Sequence, residues 1–373
     1  MKPKILIIAD SDPRKQVLGG VGIYSYNLVK YLSKKKFDVI FIGKKQEGGV
    51  IHKFSSLKFI ELNHKSNQSN YIFLNNLFRL ASKLKVDENT IIHAQRPDWL
   101  VPFRNFSNKK IAVLHGSHSK NVFVKKGFLI GKLYSMLEKK GLEIADAIVS
   151  VSEECSNYYK GLYGKYPGIT EKILTIPLGI DLQNFRNLDK DKSRKKYGFK
   201  KSDKVVVYVG RFEKEKNLKL MINACQKARL KLFLVGTGRE ENELKEYAKR
   251  IKADVTLHGA VSNEKVPEML SCGNVFALTS IHEGLPTAVI EAMAAGLPVV
   301  STNVGDVSKL VVDGKTGYIV DEDNIVQKLG ILMKNPYRYK NDCLNKSREY
   351  SWDKIGDKIK DIYDMLLNVS VDR

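Results

Sequence analysis

Along the chain, short apolar runs alternate with longer stretches in which apolar residues recur every three or four positions. The runs at 4–9, 39–43, 59–62, 91–94, 110–114 and 147–152 read as buried strands, because a strand covered on both faces loses the period-two alternation of a half-exposed one. Between them lie helical patterns: one opens near residue 22 with apolar positions Ile23, Leu28, Tyr31 and Leu32, and another covers 70–85. The strand at 147–152 is expected to be the last of this half. A second series follows, with strands at 204–209, 231–235, 255–258 and 297–301 and helices at 218–228, 263–271, 287–295, 323–333 and 352–367. Regular alternation of strand and helix predicts parallel α/β sheets.

At 373 residues the chain is long enough for two cores. Ile176-Pro177-Leu178-Gly179-Ile180-Asp181 and the lysine-rich stretch 190–204 separate the two series and mark a boundary. No apolar run approaches the roughly 18–20 residues that span a bilayer. The apolar run after Met1 is too short for a secretory signal and reads as a first strand. Cys155, Cys225, Cys272 and Cys343 are far apart and show no metal or disulfide spacing, as expected of reduced cysteines in the cytoplasm. The formal charge of +22 suits polyanions, yet the basic residues are scattered without a nucleic-acid motif, and solvated helix faces account for them equally well.

Candidate chemistry concentrates in residues 279–317, TSIHEGLPTAVIEAMAAGLPVVSTNVGDVSKLVVDGKTG. Glu283-Gly284-Leu285-Pro286 reads as a loop, with Pro286 in the first turn of the helix that continues from Thr287. Gly296 is placed to take the left-handed conformation that ends the helix, and Pro298 prevents its continuation. The loop thus opens onto a helix N-terminus, a binding site for phosphate. Glu291, a turn inside, and Glu283, just outside, can each accept hydrogen bonds from ligand hydroxyls. On one unbroken helix their spacing would turn them roughly 80° apart, so the Gly-Leu-Pro break lets both face one ligand. Earlier, the strand ending at Gly210 presents Arg211 and Lys216, a planar fork and a mobile point charge suited to a diphosphate. Gly19-Gly20-Val21-Gly22 and Gly236-Thr237-Gly238 both lack the full G-x-G-x-x-G fingerprint, which leaves a nicotinamide or flavin unsupported. Gln95-Arg96-Pro97-Asp98-Trp99 and His115-Gly116-Ser117-His118 sit at strand ends, where ligands of open sheets gather.

Glu283-x7-Glu291 with EAMAAGLPVV and DGKTGYIV in register, together with VGR and EK around Arg211 and Lys216, resembles the donor-site signature of retaining GT-B glycosyltransferases, in particular glycosyltransferase family 4. The resemblance implies an α/β GT-B fold of two Rossmann-like parallel-sheet domains facing across a cleft. It implies a domain at 1–177, joined by a terminal helix at 352–373 that crosses back, and a donor domain at 178–351. It implies a retaining hexosyl transfer from a nucleotide sugar, UDP-glucose or UDP-N-acetylglucosamine by family frequency, to a glycan or lipid-linked acceptor hydroxyl. His115 and Glu283 are then the catalytic residues at the sugar. Gly20, Arg211, Lys216, Val261, Gly284, Leu285, Pro286, Thr287 and Glu291 bind the donor: Gly20 at the diphosphate, Arg211 and Lys216 on the phosphates, Val261 through backbone against the base, and Glu291 on the ribose.

No cofactor and no metal are expected, since the nearest approach to Asp-x-Asp, Asp321-Glu322-Asp323, reads as a surface turn. Two departures from the family pattern are Leu178, where asparagine is usual, and Lys309, where an acid is usual. Residues 119–141 pair lysines with the apolar stripe Phe128, Leu129, Leu133, Met136 and Leu137. That pattern fits either an anionic membrane surface at the inner face of the cytoplasmic membrane or a helix packed on the core with lysines in solvent. No specific nucleic acid is expected. Two other classes stay open: a sugar-nucleotide 2-epimerase of the same architecture, and a non-enzymatic polyanion-binding protein with a degenerate sugar site.

Overall fold

The computed structural model describes residues 3–15, 20–46, 51–62, 70–117, 122 and 127–368. The chain divides into two compact units, residues 1–179 with 352–373, and residues 180–351.

The first unit is built on a seven-stranded sheet of β1 (Lys4–Ile8), β2 (Asp38–Gly43), β3 (Leu57–Glu61), β4 (Thr90–Ala94), β5 (Lys110–Leu114), β6 (Ala147–Ser150) and β7 (Ile173–Thr175). All neighbours pair in parallel, in the order β3-β2-β1-β4-β5-β6-β7. Every residue of β4, β5 and β6 is buried, which is why these strands read as unbroken apolar runs. β7 corrects the expectation that 147–152 ends the sheet. It is only three residues long, with Leu174 and Thr175 exposed at the sheet edge, so it carries no apolar run to recognise.

The helix Trp352–Asn368 packs on this unit. His93 Nδ1 lies 2.7 Å from the Tyr363 hydroxyl, and the Tyr31 hydroxyl donates to Asp357 Oδ1 at 2.5 Å. Burial lowers the His93 pKa to about 3, so this imidazole is a neutral core group.

The second unit carries a six-stranded parallel sheet of β8 (Val205–Val209), β9 (Lys231–Val235), β10 (Val255–Leu257), β11 (Val275–Leu278), β12 (Val299–Thr302) and β13 (Gly317–Val320), in the order β10-β9-β8-β11-β12-β13. In each sheet the strand order reverses once, at β1/β4 and at β8/β11. Loops leaving the C-terminal ends of those strands diverge to opposite sides and open a crevice, the place where such sheets bind ligands.

The helix Phe128–Ile144 buries a face other than its apolar stripe. Its buried face is Gly131, Tyr134, Glu138, Gly141 and Leu142. Gly141 allows close packing on the helical segment Pro97–Phe103: a Cβ there would lie 1.9 Å from the Pro97 carbonyl oxygen. The predicted apolar stripe faces outward instead, with Phe128, Leu129, Leu133 and Met136 between 55% and 85% exposed, and only Leu137 rests on the core. Lys139 lies over the Tyr166 ring, and both Lys139 and Lys140 pair with Glu143. Lys120, Lys125 and Lys126 lie outside the described residues. No helix among the described residues is long and apolar enough to cross a membrane. The four cysteines are buried free thiols, and burial pushes Cys225, Cys272 and Cys343 up to about 12.

Candidate active site

In the second unit the β8/β11 reversal brings the two loops with candidate chemistry together. After β8 come Gly210 and Arg211, then a short helical turn, Lys214–Lys216. After β11 comes the loop that runs through Glu283 to Pro286. The loops are tied by backbone and hydroxyl bonds: Ile281 N donates to Glu215 O at 2.8 Å, and the Thr279 hydroxyl to Asn217 O at 3.0 Å. Across this junction Lys216 Nζ donates to Glu283 Oε1 at 2.7 Å, and the Ser280 hydroxyl donates to the same oxygen at 2.6 Å. Both charged side chains are only 14% exposed, so the pair is held with little solvent screening.

The backbone behind Glu283 is locked as well. Gly305 adopts φ 51°, and a Cβ there would stand 2.2 Å from the Gly284 carbonyl oxygen and 2.3 Å from that of Glu283. Asp306 N donates to Gly284 O at 2.9 Å. Gly305 is therefore required where the chain departs from the family pattern, while Lys309, four residues on, lies 3.4 Å from Asp306.

The helix Thr287–Ala294 starts one residue later than proposed for the proline. Pro286 is the N-cap, with extended ψ of 97°, and supplies no side-chain cap. A proline side chain has no capping oxygen, and while Val289 N donates to Pro286 O at 3.0 Å, the amides of Thr287 and Ala288 receive no side-chain cap and can meet an anion. Gly296 takes φ 77° and ends the helix as expected.

Glu291 is half-buried, and its carboxylate has no hydrogen-bonding partner among the described residues. Burial raises its pKa to about 7. Leu285 and Val261 rest partly on the second core. Arg211 points into solvent beside Glu215, 3.3 Å away, while its carbonyl oxygen accepts from the Tyr208 hydroxyl. The turn Gly236-Thr237-Gly238 serves as a backing for this segment. A Cβ at Gly236 would lie 1.8 Å from Gly210 O, and one at Gly238 would lie 2.1 Å from Phe212 O.

In the first unit, His115 follows β5, and its Nε2 lies 2.7 Å from Gln95 Oε1. Gly20 is the first residue of the helix Gly20–Lys34 rather than part of a preceding loop, and a Cβ there would meet no atom within 4 Å. Packing does not demand glycine at that position. Gly19 and His118 lie outside the described residues. The structure thus joins Lys216 to Glu283. It also adds Ser280 and Gly305, which the sequence reading left without a role, and gives Gln95, placed at a strand end by the sequence, a partner in His115; Ser280, three residues before Glu283, is the one that spacing could have signalled. Among the described residues no group of three or more His, Cys, Asp or Glu could hold a metal ion.

Two doubly wound sheets, one with a basic and acidic pair at its strand reversal beside a helix N-terminus, define the GT-B class of glycosyltransferases. The family profile described as Glycosyltransferase Family 4 matches residues 18–184, and that described as Glycosyl transferases group 1 matches residues 189–350; the chain belongs to this family of GT-B, family 4-like glycosyltransferases. The putative glycosyltransferase EpsD of Bacillus subtilis is 28% identical over 227 residues, 58% of this chain and 58% of its own, so the chain spans about three fifths of that relative's length. Sucrose-phosphate synthase from Thermosynechococcus elongatus superposes with a TM-score of 0.81 at 20% identity, over 99% of this chain and 100% of its own. The HepE protein of Anabaena, solved with UDP and glucose, gives a TM-score of 0.71 at 16% identity, over 97% and 99%.

Proposed function

We propose that this protein is a retaining hexosyltransferase that moves a hexosyl residue from a nucleotide sugar, UDP-glucose or UDP-N-acetylglucosamine, to an acceptor hydroxyl in glycan, glycolipid or cell-surface polysaccharide synthesis. The observation that carries the reading is the Lys216–Glu283 pair at the β8/β11 reversal, beside the uncapped helix at Thr287. Heterolysis of the anomeric C–O bond leaves negative charge on the diphosphate. Lys216, Arg211 and the backbone N–H groups of Gly284, Leu285 and Thr287 meet that charge as it develops, the electrostatic form of catalysis that counts most for an anionic leaving group. Glu283 holds sugar hydroxyls, Glu291 the ribose, and His115 the sugar. The leaving phosphate oxygen takes the acceptor's proton on the same face, so the sugar keeps its anomeric configuration. HepE, which binds UDP and glucose, supports a UDP-hexose donor.

The test is calorimetric titration with UDP, GDP and ADP on the wild type and on Arg211→Ala and Lys216→Ala, followed by turnover with the matching sugar conjugates. Selective binding of UDP, weakened roughly tenfold or more in each variant, is expected from loss of a charge-assisted bond of about 1.5–3 kcal/mol. No binding of any nucleotide would overturn the reading.

The acceptor side is proposed to meet an anionic membrane through the outward stripe of the Phe128–Ile144 helix, with Lys132 exposed beside it. Wild-type protein is expected to sediment with anionic phospholipid vesicles. The double variant Leu129→Asp, Leu133→Asp is expected to stay in solution while binding UDP normally. Equal sedimentation of the two removes this partner.

A further inference from the structure

β4 and β5 run side by side with Ala94 opposite Ala112. Continued by one residue, this register sets Gln95, the first residue past β4, level with Val113 near the end of β5, and its side chain reaches His115 two residues further on, with Oε1 2.7 Å from Nε2. Gln95 is fully buried, and its backbone N–H donates to Ile8 O at 2.9 Å, so its place is dictated by the central strands. Its own Nε2 has no partner among the described residues. Tyr24 is equally buried and closes the other side of the imidazole: its ring stands edge-on to His115 at 5.0 Å and to Trp352 at 5.2 Å.

A buried carboxamide with one end unsatisfied is a poor choice for stability, because an apolar side chain of similar volume would fill the space without leaving a donor stranded. Packing therefore does not explain a glutamine at this position. Holding an imidazole does: a carboxamide oxygen accepts the Nε2–H and so fixes both the tautomer and the rotation of the ring. A carboxylate would fix them too, but it would favour the imidazolium. The neutral amide orients the ring without charging it.

We infer that Gln95 is the positioning residue for His115, holding the neutral imidazole with its proton on Nε2 at the strand end where the sugar is bound. The inference rests on the proposed role of His115 at the donor sugar, and the test separates the two. Full-length protein labelled with 15N-histidine is titrated by NMR as wild type, Gln95→Leu and Gln95→Glu, with His115→Asn to assign the signal. Release of UDP from UDP-glucose and thermal stability are followed in parallel.

Gln95→Glu is expected to raise the proton affinity of His115 about tenfold. Gln95→Leu is expected to change its tautomer signature and to slow UDP release at least tenfold, through kcat more than KM, with thermal stability unchanged or raised. A merely structural glutamine would instead lose stability and leave the His115 signal where it is. Unchanged His115 signals in both variants, or an undiminished rate in Gln95→Leu, would overturn the inference. If the signals respond but His115→Asn turns over UDP-glucose at the wild-type rate, the contact is real and the role of His115 is wrong. The inference falls with that role.

Discussion

Glu283→Gln is expected to lower kcat/KM for sugar transfer by roughly 100- to 1000-fold while leaving UDP binding intact or tighter. The two effects part because Glu283 has two partners. Its Oε1 accepts from both Lys216 and Ser280, so the ammonium that would meet the diphosphate is partly neutralised by the carboxylate that would hold the sugar. Glutamine is nearly isosteric and keeps an oxygen for Ser280, so the loop clamped by Gly305 and Asp306 retains its path. What disappears is the charge. Lys216 is then freer to attract phosphate, whereas sugar hydroxyls lose a charged acceptor, a difference of about 1.5–3 kcal/mol per bond. Leaving Lys216 less compensated costs about 1–2 kcal/mol of stability, less than for a fully buried pair, since both side chains keep 14% exposure. Calorimetry with UDP beside a turnover assay reads both halves. Full turnover in the variant removes Glu283 from the sugar site, and joint loss of UDP binding and turnover would make it a loop-holding residue only.

The second large effect belongs to Glu291 and depends on pH. Its pKa in the folded protein is about 7, raised from 4.5 by burial. Between these two values the folded protein holds a proton that the unfolded chain releases, so stability falls as pH rises from about 4.5 to 7 and is constant above. The cost is on the order of 2–3 kcal/mol at pH 8. Glu291→Gln is accordingly expected to raise the melting temperature at pH 8 and to leave it nearly unchanged at pH 4. Binding should show the opposite preference. If ribose hydroxyls donate to the carboxylate, wild-type affinity for UDP rises as pH passes from 6 to 8, and the variant binds about 10- to 100-fold more weakly at pH 8 with no such rise. Melting curves and UDP titrations at three pH values suffice. A variant that gains stability yet binds UDP like the wild type would show that Glu291 is buried for another reason.

The strand runs apart from β7, β11 and β13, the switch to a second series after Asp181 and the helix stop at Gly296 were legible in the sequence. Each depends on local rules: buried parallel strands are apolar throughout, and glycine tolerates positive φ. The charged residues Arg211, Lys216, Glu283 and Glu291 could be picked out by their places at a strand end and around a helix start, and the structure joins two of them, Lys216 and Glu283.

Other features depend on residues far apart in the chain, and no local pattern encodes them. β7 has too few residues to show a period and exists because β6 offers it an edge. The stripe of the Phe128–Ile144 helix looks like a core face, yet Glu138 is buried and accepts from the Tyr159 hydroxyl at 2.7 Å, while Phe128 and Leu129 are exposed. The contact of Lys216 with Glu283 spans 67 positions and that of His115 with Gln95 spans 20. Sequence alone determined which charged groups stand at strand ends and beside a helix start. The order of strands, which decides which loops leave neighbouring C-terminal ends, determined which of those groups meet.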